Sequence, residues 1–192
     1  MKKNKRVRGL LLTGLALIGV GTAQAADEPS LSCAQRYEKV LPEAKRLKPF
    51  EFDQSPAGWR QLTDCPAEAA KLIKVYLGPI EYVARNLHWH LAQTLAMAGD
   101  TDAAIQSALL SLNPPEEAAK HPGFNWNAYA LATIEFLRGD KTAFKAQQQA
   151  LRAFAAASAS AENQNNIEVL DRLERCFGQP YKIAYVCPAV AP

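Results

Sequence analysis

The chain has no C-x-x-C, no Gly-x-Ser-x-Gly, no Walker-type phosphate loop and no GxGxxG. Its three His and two Met form no HExxH or Met-rich cluster. These gaps remove the common redox, serine-hydrolase, nucleotide-binding and zinc-protease signatures. Beyond the first 25 residues no apolar run approaches the ~20 residues that span a bilayer. The longest uncharged helical stretch, Asn86–Gly99, has 14 residues and carries His88, His90 and Gln93. Glycine has no Gly-X-Y period, and an apolar fraction of 48% with only 21% charged residues excludes a disordered chain. The 192 residues suffice for one ordinary core.

The formal charge of +3 and the pI near 8.7 are set by the N-terminus. Lys2, Lys3, Lys5, Arg6 and Arg8 precede an uncharged apolar run, Gly9–Gly21, and then Ala23-Gln24-Ala25. A basic start, a short apolar run and small residues at −3 and −1 describe a secretory signal peptide spanning 1–25, cleaved after Ala25. No Cys follows the cleavage point directly, so no lipid anchor is indicated. Without the leader, 17 basic residues face 19 acidic ones, and residues 26–192 carry −2. No basic surface for nucleic acid remains. The expectation is a periplasmic or secreted protein with no membrane insertion of the mature chain.

Cys33, Cys65, Cys176 and Cys187 all lie beyond the leader, and an even count in an exported chain reads as two disulfides. Three pairings are open. Cys33–Cys65 and Cys176–Cys187 are favoured, since each pair sits at one end of the chain. The second would tie the tail 178–192 to the last helix. Intervening lengths of 31, 110 and 10 residues fit no zinc pattern.

Ala, Leu, Gln, Glu, Lys and Arg dominate, and β-branched runs are few, which predicts an all-α fold. Expected helices cover Leu31–Lys48 (Pro42 a break or kink), Pro56–Leu62 and a segment restarting at Asp64-Cys65-Pro66 and stopping at Gly78-Pro79. Pro49–Gln54 reads as a connector, with Ser55-Pro56 starting the next helix. Val83, Leu87, Leu91, Leu95 and Ala98 mark one helix ending at Gly99-Asp100. Ala103/Ala104, Ala108 and Leu112 mark the next, stopped by Asn113-Pro114-Pro115. Trp126–Arg138 turns at Gly139-Asp140 into a helix with Phe144 and Leu151. The last uses Ile167, Leu170, Leu173 and Phe177, with Gly178 as its cap. About seven helices result. The tail Tyr181–Val186 alternates and reads as extended, and Asn163–Asn166 reads as exposed.

Aligning Leu91-Ala92 with Leu131-Ala132 superposes Gly99-Asp100 on Gly139-Asp140, an offset of 40 residues. The stretch LAQTLAMAGDTDAAIQSAL resembles a tetratricopeptide repeat (TPR). In the second copy Phe144 takes the place of the small Ala, and the spacing exceeds the usual ~34 residues. WRQLTDCPAEAAKLI, from Trp59, is a degenerate further copy. The resemblance implies one domain, 26–192, of antiparallel helical hairpins in a short superhelical or bundle-like array. It further implies a groove that takes a peptide or protein, lined by Asn86, Trp89, Gln93 and Met97 in one copy. In the other, Trp126, Tyr129, Thr133 and Phe136/Leu137 line it, with Arg85 and His90 at the rim. The Lys and Asn of the family's carboxylate clamp are absent. Trp89 and Tyr129 could equally be core.

His88-Trp89-His90 does not read as a metal site: two residues along a helix rotate the side chains by about 200°, and His121 belongs to a separate loop. Glu81 and Glu135 are lone helix carboxylates. Glu116-Glu117 fit the first turn of a short helix after Pro114-Pro115. No catalytic residue, cofactor or metal is assigned. The expectation is an exported binding module for a peptide or protein. The alternatives are an inhibitor or immunity-type protein using the loop Pro114–Gly123, an envelope-remodelling enzyme, and a structural subunit of a larger assembly.

Overall fold

The computed structural model describes residues 31–78, 84–158 and 160–189. The segment 1–25, read as a signal peptide, and Glu81 and Val83 lie outside them. Ser32 opens the first helix, α1 (Cys33–Ala44), with a capping box: its Oγ accepts the Gln35 N–H at 3.3 Å, and Gln35 Oε1 accepts the Ser32 N–H at 2.9 Å. Pro42 lies inside this helix, which ends two residues later at Ala44.

The segment expected as a connector is instead a helix, α2 (Pro49–Gln54). Pro49 stands in the first turn, where its missing N–H costs nothing, and Glu51 Oε2 accepts the Lys48 N–H at 3.1 Å. Ser55 ends α2 rather than starting a helix; its hydroxyl donates to the Glu51 carbonyl at 2.6 Å. Only a 3₁₀ turn, Trp59–Leu62, follows. The proposed third repeat copy therefore lacks its first α-helix.

Cys65-Pro66 then starts α3 (Pro66–Leu77). Two hairpins come next: α4 (Arg85–Ala98) with α5 (Thr101–Leu110), and α7 (Trp126–Arg138) with α8 (Lys141–Ala157). Between them lies the short α6 (Pro115–Ala118). Both turns use one device. Gly99 and Gly139 sit in the left-handed region at φ 89° and 75°. Asp100 and Asp140 then cap the following helices, each Oδ1 accepting an N–H three residues on. The chain ends with α9 (Ala161–Arg175) and α10 (Tyr181–Ala184).

The protein is all-α, with no strand among the described residues. Ten α-helices stand among the described residues: α6 is the short helix expected after Pro114-Pro115, whereas α2 and α10 are too short to announce themselves by periodicity. The tail read as extended is α10: the Ile183 and Ala184 N–H groups bond to the Pro180 carbonyl, and Tyr181 and Ala184 are buried.

Helices pack in chain order: α1 on α3, α3 on α4, α4 on α5, α5 on α7, α7 on α8 and both α7 and α8 on α9. A continuous core runs through Leu62, Leu72, Ile73, Ile134, Phe144, Leu151 and Leu173, all fully buried. Disulfides join Cys33 to Cys65 and Cys176 to Cys187, the favoured pairing.

Candidate cavity at the start of α4 and α7

A cavity of about 640 Å³ opens where α2, the start of α4, the α5–α6 connection and the start of α7 meet. That volume is within the usual ligand range of ~300–1,000 Å³. Its walls carry Asp53 and Gln54 of α2, Ala84 through Leu87 at the head of α4, Ser111 and Asn113, Glu117 of α6, then His121, Phe124 and Trp126. Phe50, 78% exposed, stands at its rim.

The walls are held by polar ties between distant segments. The Trp126 indole N–H donates to the Ser111 carbonyl at 2.9 Å. Asn127 accepts the Asn113 N–H and donates back to the Asn113 carbonyl, at 2.9 and 2.8 Å. Asn163 of α9, expected to be exposed, is fully buried. It accepts the Asn125 N–H at 3.1 Å and donates to the Gly123 carbonyl at 2.8 Å, which sets the approach of the chain to α7.

Charge is mixed. Glu117 pairs with Lys120 at 2.7 Å; that hydrogen bond, with the charges of Lys120, Arg85 and His121, holds its carboxyl below the usual range. Ala84 gives α4 no side-chain cap, so the first N–H groups of that helix leave partial positive charge at the wall. On the opposite side Asp53, 5% exposed, meets His90 Nδ1 at 2.5 Å and accepts from Gln54 and Trp59 at 2.6 and 3.4 Å. Burial alone would raise the Asp53 pKa. The His90 hydrogen bond and charge outweigh burial, helped by Gln54 and Trp59, and the net direction is down.

The residues expected along one groove on α4 and α7 divide between the cavity and the core. Asn86 and Trp126 line the cavity. Trp89, Tyr129 and Thr133 do not face solvent: they are 5%, 3% and 3% exposed. Trp89 packs against Trp126 at 4.8 Å and Tyr129 at 5.1 Å between ring centroids, closing the middle of the groove. Thr133 turns its hydroxyl back to the Tyr129 carbonyl at 3.1 Å.

Gln93 is half-buried and lies beside the Tyr181 hydroxyl of α10. Met97 and Leu137 pack against the core, and Phe136 is buried. Arg85 does line the cavity, but His90 is committed to Asp53 instead of the rim. His88 points elsewhere: its Nδ1 is enclosed without a hydrogen bond, and burial lowers its pKa. His121, read as remote, shares the cavity with Arg85. Glu135 pairs with Arg138 at 2.9 Å.

Cys33, Cys65 and Glu68 cluster, but sulfurs bonded to each other are not thiolate ligands. Asp53 and Asn163 were missed as site-building residues. Neither belongs to a motif, and the partners that tie them across the fold, His90 for Asp53 and Asn125 and Gly123 for Asn163, lie 37 to 40 positions away. No family model matches the chain, nor does any curated protein or solved structure.

Proposed function

We propose that this protein is an exported binding module built from TPR-like hairpins, and that a peptide or protein segment enters the cavity at the heads of α4 and α7. The carrying observation is the cavity itself: aromatic walls from Phe124 and Trp126 beside Arg85, Asn86, Asn113 and Glu117 suit a chain that offers both apolar side chains and backbone amides. Two disulfides support an oxidising compartment, and no described helix is long and apolar enough to cross a membrane. With the leader read in the first 25 residues, these features favour the periplasm. The matching Gly-Asp turns favour the repeat reading.

The test is affinity capture from a periplasmic extract with wild-type protein, Asn86→Trp and Arg85→Glu. Asn86 is exposed, so Asn86→Trp fills the cavity without disturbing the core. The expected result is a saturable partner lost in both variants while circular dichroism is unchanged. Equal capture by all three proteins would refute the cavity as the docking place. N-terminal sequencing of the exported protein is expected to begin at Ala26.

A further inference from the structure

The charged side chains around the cavity at the heads of α4 and α7 are not equally committed. Asp53 is buried, and its carboxylate already meets His90 Nδ1 and the donors of Gln54 and Trp59. Glu117 pairs with Lys120 at 2.7 Å. Each acid on the wall therefore has its own partner. Arg85 lines the same cavity, half-buried, and makes no ion pair or hydrogen bond among the described residues. Its guanidinium has lost part of its hydration without gaining an acceptor.

A second donor stands nearby. The charges of Arg85 and His121 both act on the Glu117 carboxyl, which places both within electrostatic reach of it. His121 is exposed, and its ring carries at least one N–H in either tautomer. The rest of the wall fits what surrounds an acid on a chain. Phe124 and Trp126 present aromatic rings 6.2 Å apart between centroids. Asn113 binds Asn127 through its backbone only, so its side-chain amide stays available, as does that of the exposed Asn86. Such amides pair with main-chain N–H and C=O groups.

Resting on the reading of this cavity as a peptide-docking place, we infer that its occupant carries an aspartate or glutamate side chain beside an apolar residue. The carboxylate pairs with Arg85 and takes the His121 N–H, and the apolar side chain lies on Phe124 and Trp126. Charge complementarity carries this choice: a guanidinium without an acid matches a carboxylate through two parallel N–H donors. No existing contact of Arg85 with a described residue has to break. A lysine on the occupant would meet only acids that are already paired, with Arg85 repelling it.

The probes are acetyl-Leu-Glu-amide, acetyl-Leu-Gln-amide and acetyl-Leu-Lys-amide, titrated into the oxidised full chain and followed by NMR at the Trp126 indole N–H. The glutamate probe is expected to bind about fivefold or more tighter than the glutamine probe, with lysine weakest. High salt should shrink that preference. Arg85→Gln should abolish it, and Arg85→Glu should reverse it towards lysine. Glutamate suits the first turn of a helix, so α4 is retained in that variant. Equal affinities, an acid preference that survives in Arg85→Glu, or no response to any probe overturns the inference. Tighter binding of acetyl-Leu-Leu with a free carboxylate also overturns it, assigning Arg85 to a chain end instead of a side chain. Asn86→Trp tests the cavity reading separately. Probes that bind without charge preference and are lost in Asn86→Trp keep the cavity as the docking place and remove only the acid.

Discussion

The Asp53 carboxylate meets Nδ1 of His90 at 2.5 Å, joining α2 to α4 across 37 positions of chain. Both side chains are largely removed from solvent, at 7% and 16% exposure. The pair fixes the wall of the cavity that α2 supplies, since Asp53 also receives Trp59 Nε1–H and its carbonyl accepts from Arg60 at 2.9 Å.

Breaking this pair from one side strands a buried partner. Asp53→Ala is expected to cost about 3–5 kcal/mol, and Asp53→Asn less, because the amide keeps part of the hydrogen bonding. Urea denaturation at neutral pH measures both. A loss below about 1 kcal/mol for Asp53→Ala would show that the pair contributes little.

The same pair predicts an acid dependence. The folded pKa of Asp53 is lower than its unfolded value, so the native state binds fewer protons in that range. Its stabilisation is complete above the unfolded value of about 3.9 and disappears as pH falls through the folded one. Wild-type protein should therefore lose more stability between pH 5 and pH 3, roughly, than Asp53→Asn does. Parallel acid profiles for the two proteins would contradict the assignment.

Three glycines separate backbone strain from crowding. A Cβ at Gly99 or Gly139 would touch nothing within 4 Å, yet both hold positive φ. Gly99→Ala and Gly139→Ala should each cost about 1 kcal/mol, and by similar amounts, because the two turns share one geometry. At Gly58 a Cβ would fall 1.9 Å from the Phe52 carbonyl oxygen, so backbone must move. Gly58→Ala should cost about 3 kcal/mol or more. Thermal melts of the three variants give the order directly.

The hairpins α4/α5 and α7/α8 were legible because a Gly-Asp turn is local chemistry: the left-handed residue and the cap stand side by side in the sequence. The short α2 was not. Six residues carry too little periodicity, and its start rests on Pro49 and one Glu51 contact. In the tail, Tyr181, Ile183 and Tyr185 alternate like a strand, while Tyr181, Ala184 and Tyr185 fit a helix equally well. Burial of Tyr181 and Ala184 goes with the helical pattern. Which of the expected groove residues are core was not legible for a similar reason. Aromatics at Trp89 and Tyr129 have the same spacing whether they line a groove or fill it, and only the edge-on packing of Trp89 against Trp126 and its tilted contact with Tyr129 close it. Asp53 and Asn163 had no sequence signal because each acts through a partner far along the chain.

Asn163 is the side chain through which α9 holds the cavity's loop. Replacing it with Leu keeps the branched shape, though not the smaller volume, and removes both the acceptor of the Asn125 N–H and the donor to the Gly123 carbonyl. Each buried group left unpaired costs about 1–3 kcal/mol. Asn163→Leu should destabilise the fold by that order and raise exchange of amides 123–126 ahead of the rest of α7. Uniform exchange across α7 would mean that the loop is held by other contacts.

α1 touches the rest of the fold through few apolar residues, and polar and covalent ties at one end hold it. Cys33 bonds to Cys65, and Arg36 pairs with Asp64 at 2.5 Å while donating to the Gln61 carbonyl. Asp64 is 67% exposed, so that ion pair contributes little by itself. The disulfide closes a loop of about 32 residues and carries most of the restraint. Cys33→Ser/Cys65→Ser should therefore cost about 2–5 kcal/mol, and α1 should exchange its amides before α3 does. Arg36→Ala alone should cost far less. Thiol titration of the denatured, unreduced wild-type chain should find no free SH, since the described cysteines are all paired. If Arg36→Ala destabilised the protein as much as loss of the bridge, the ion pair and the carbonyl contact would be the principal tie.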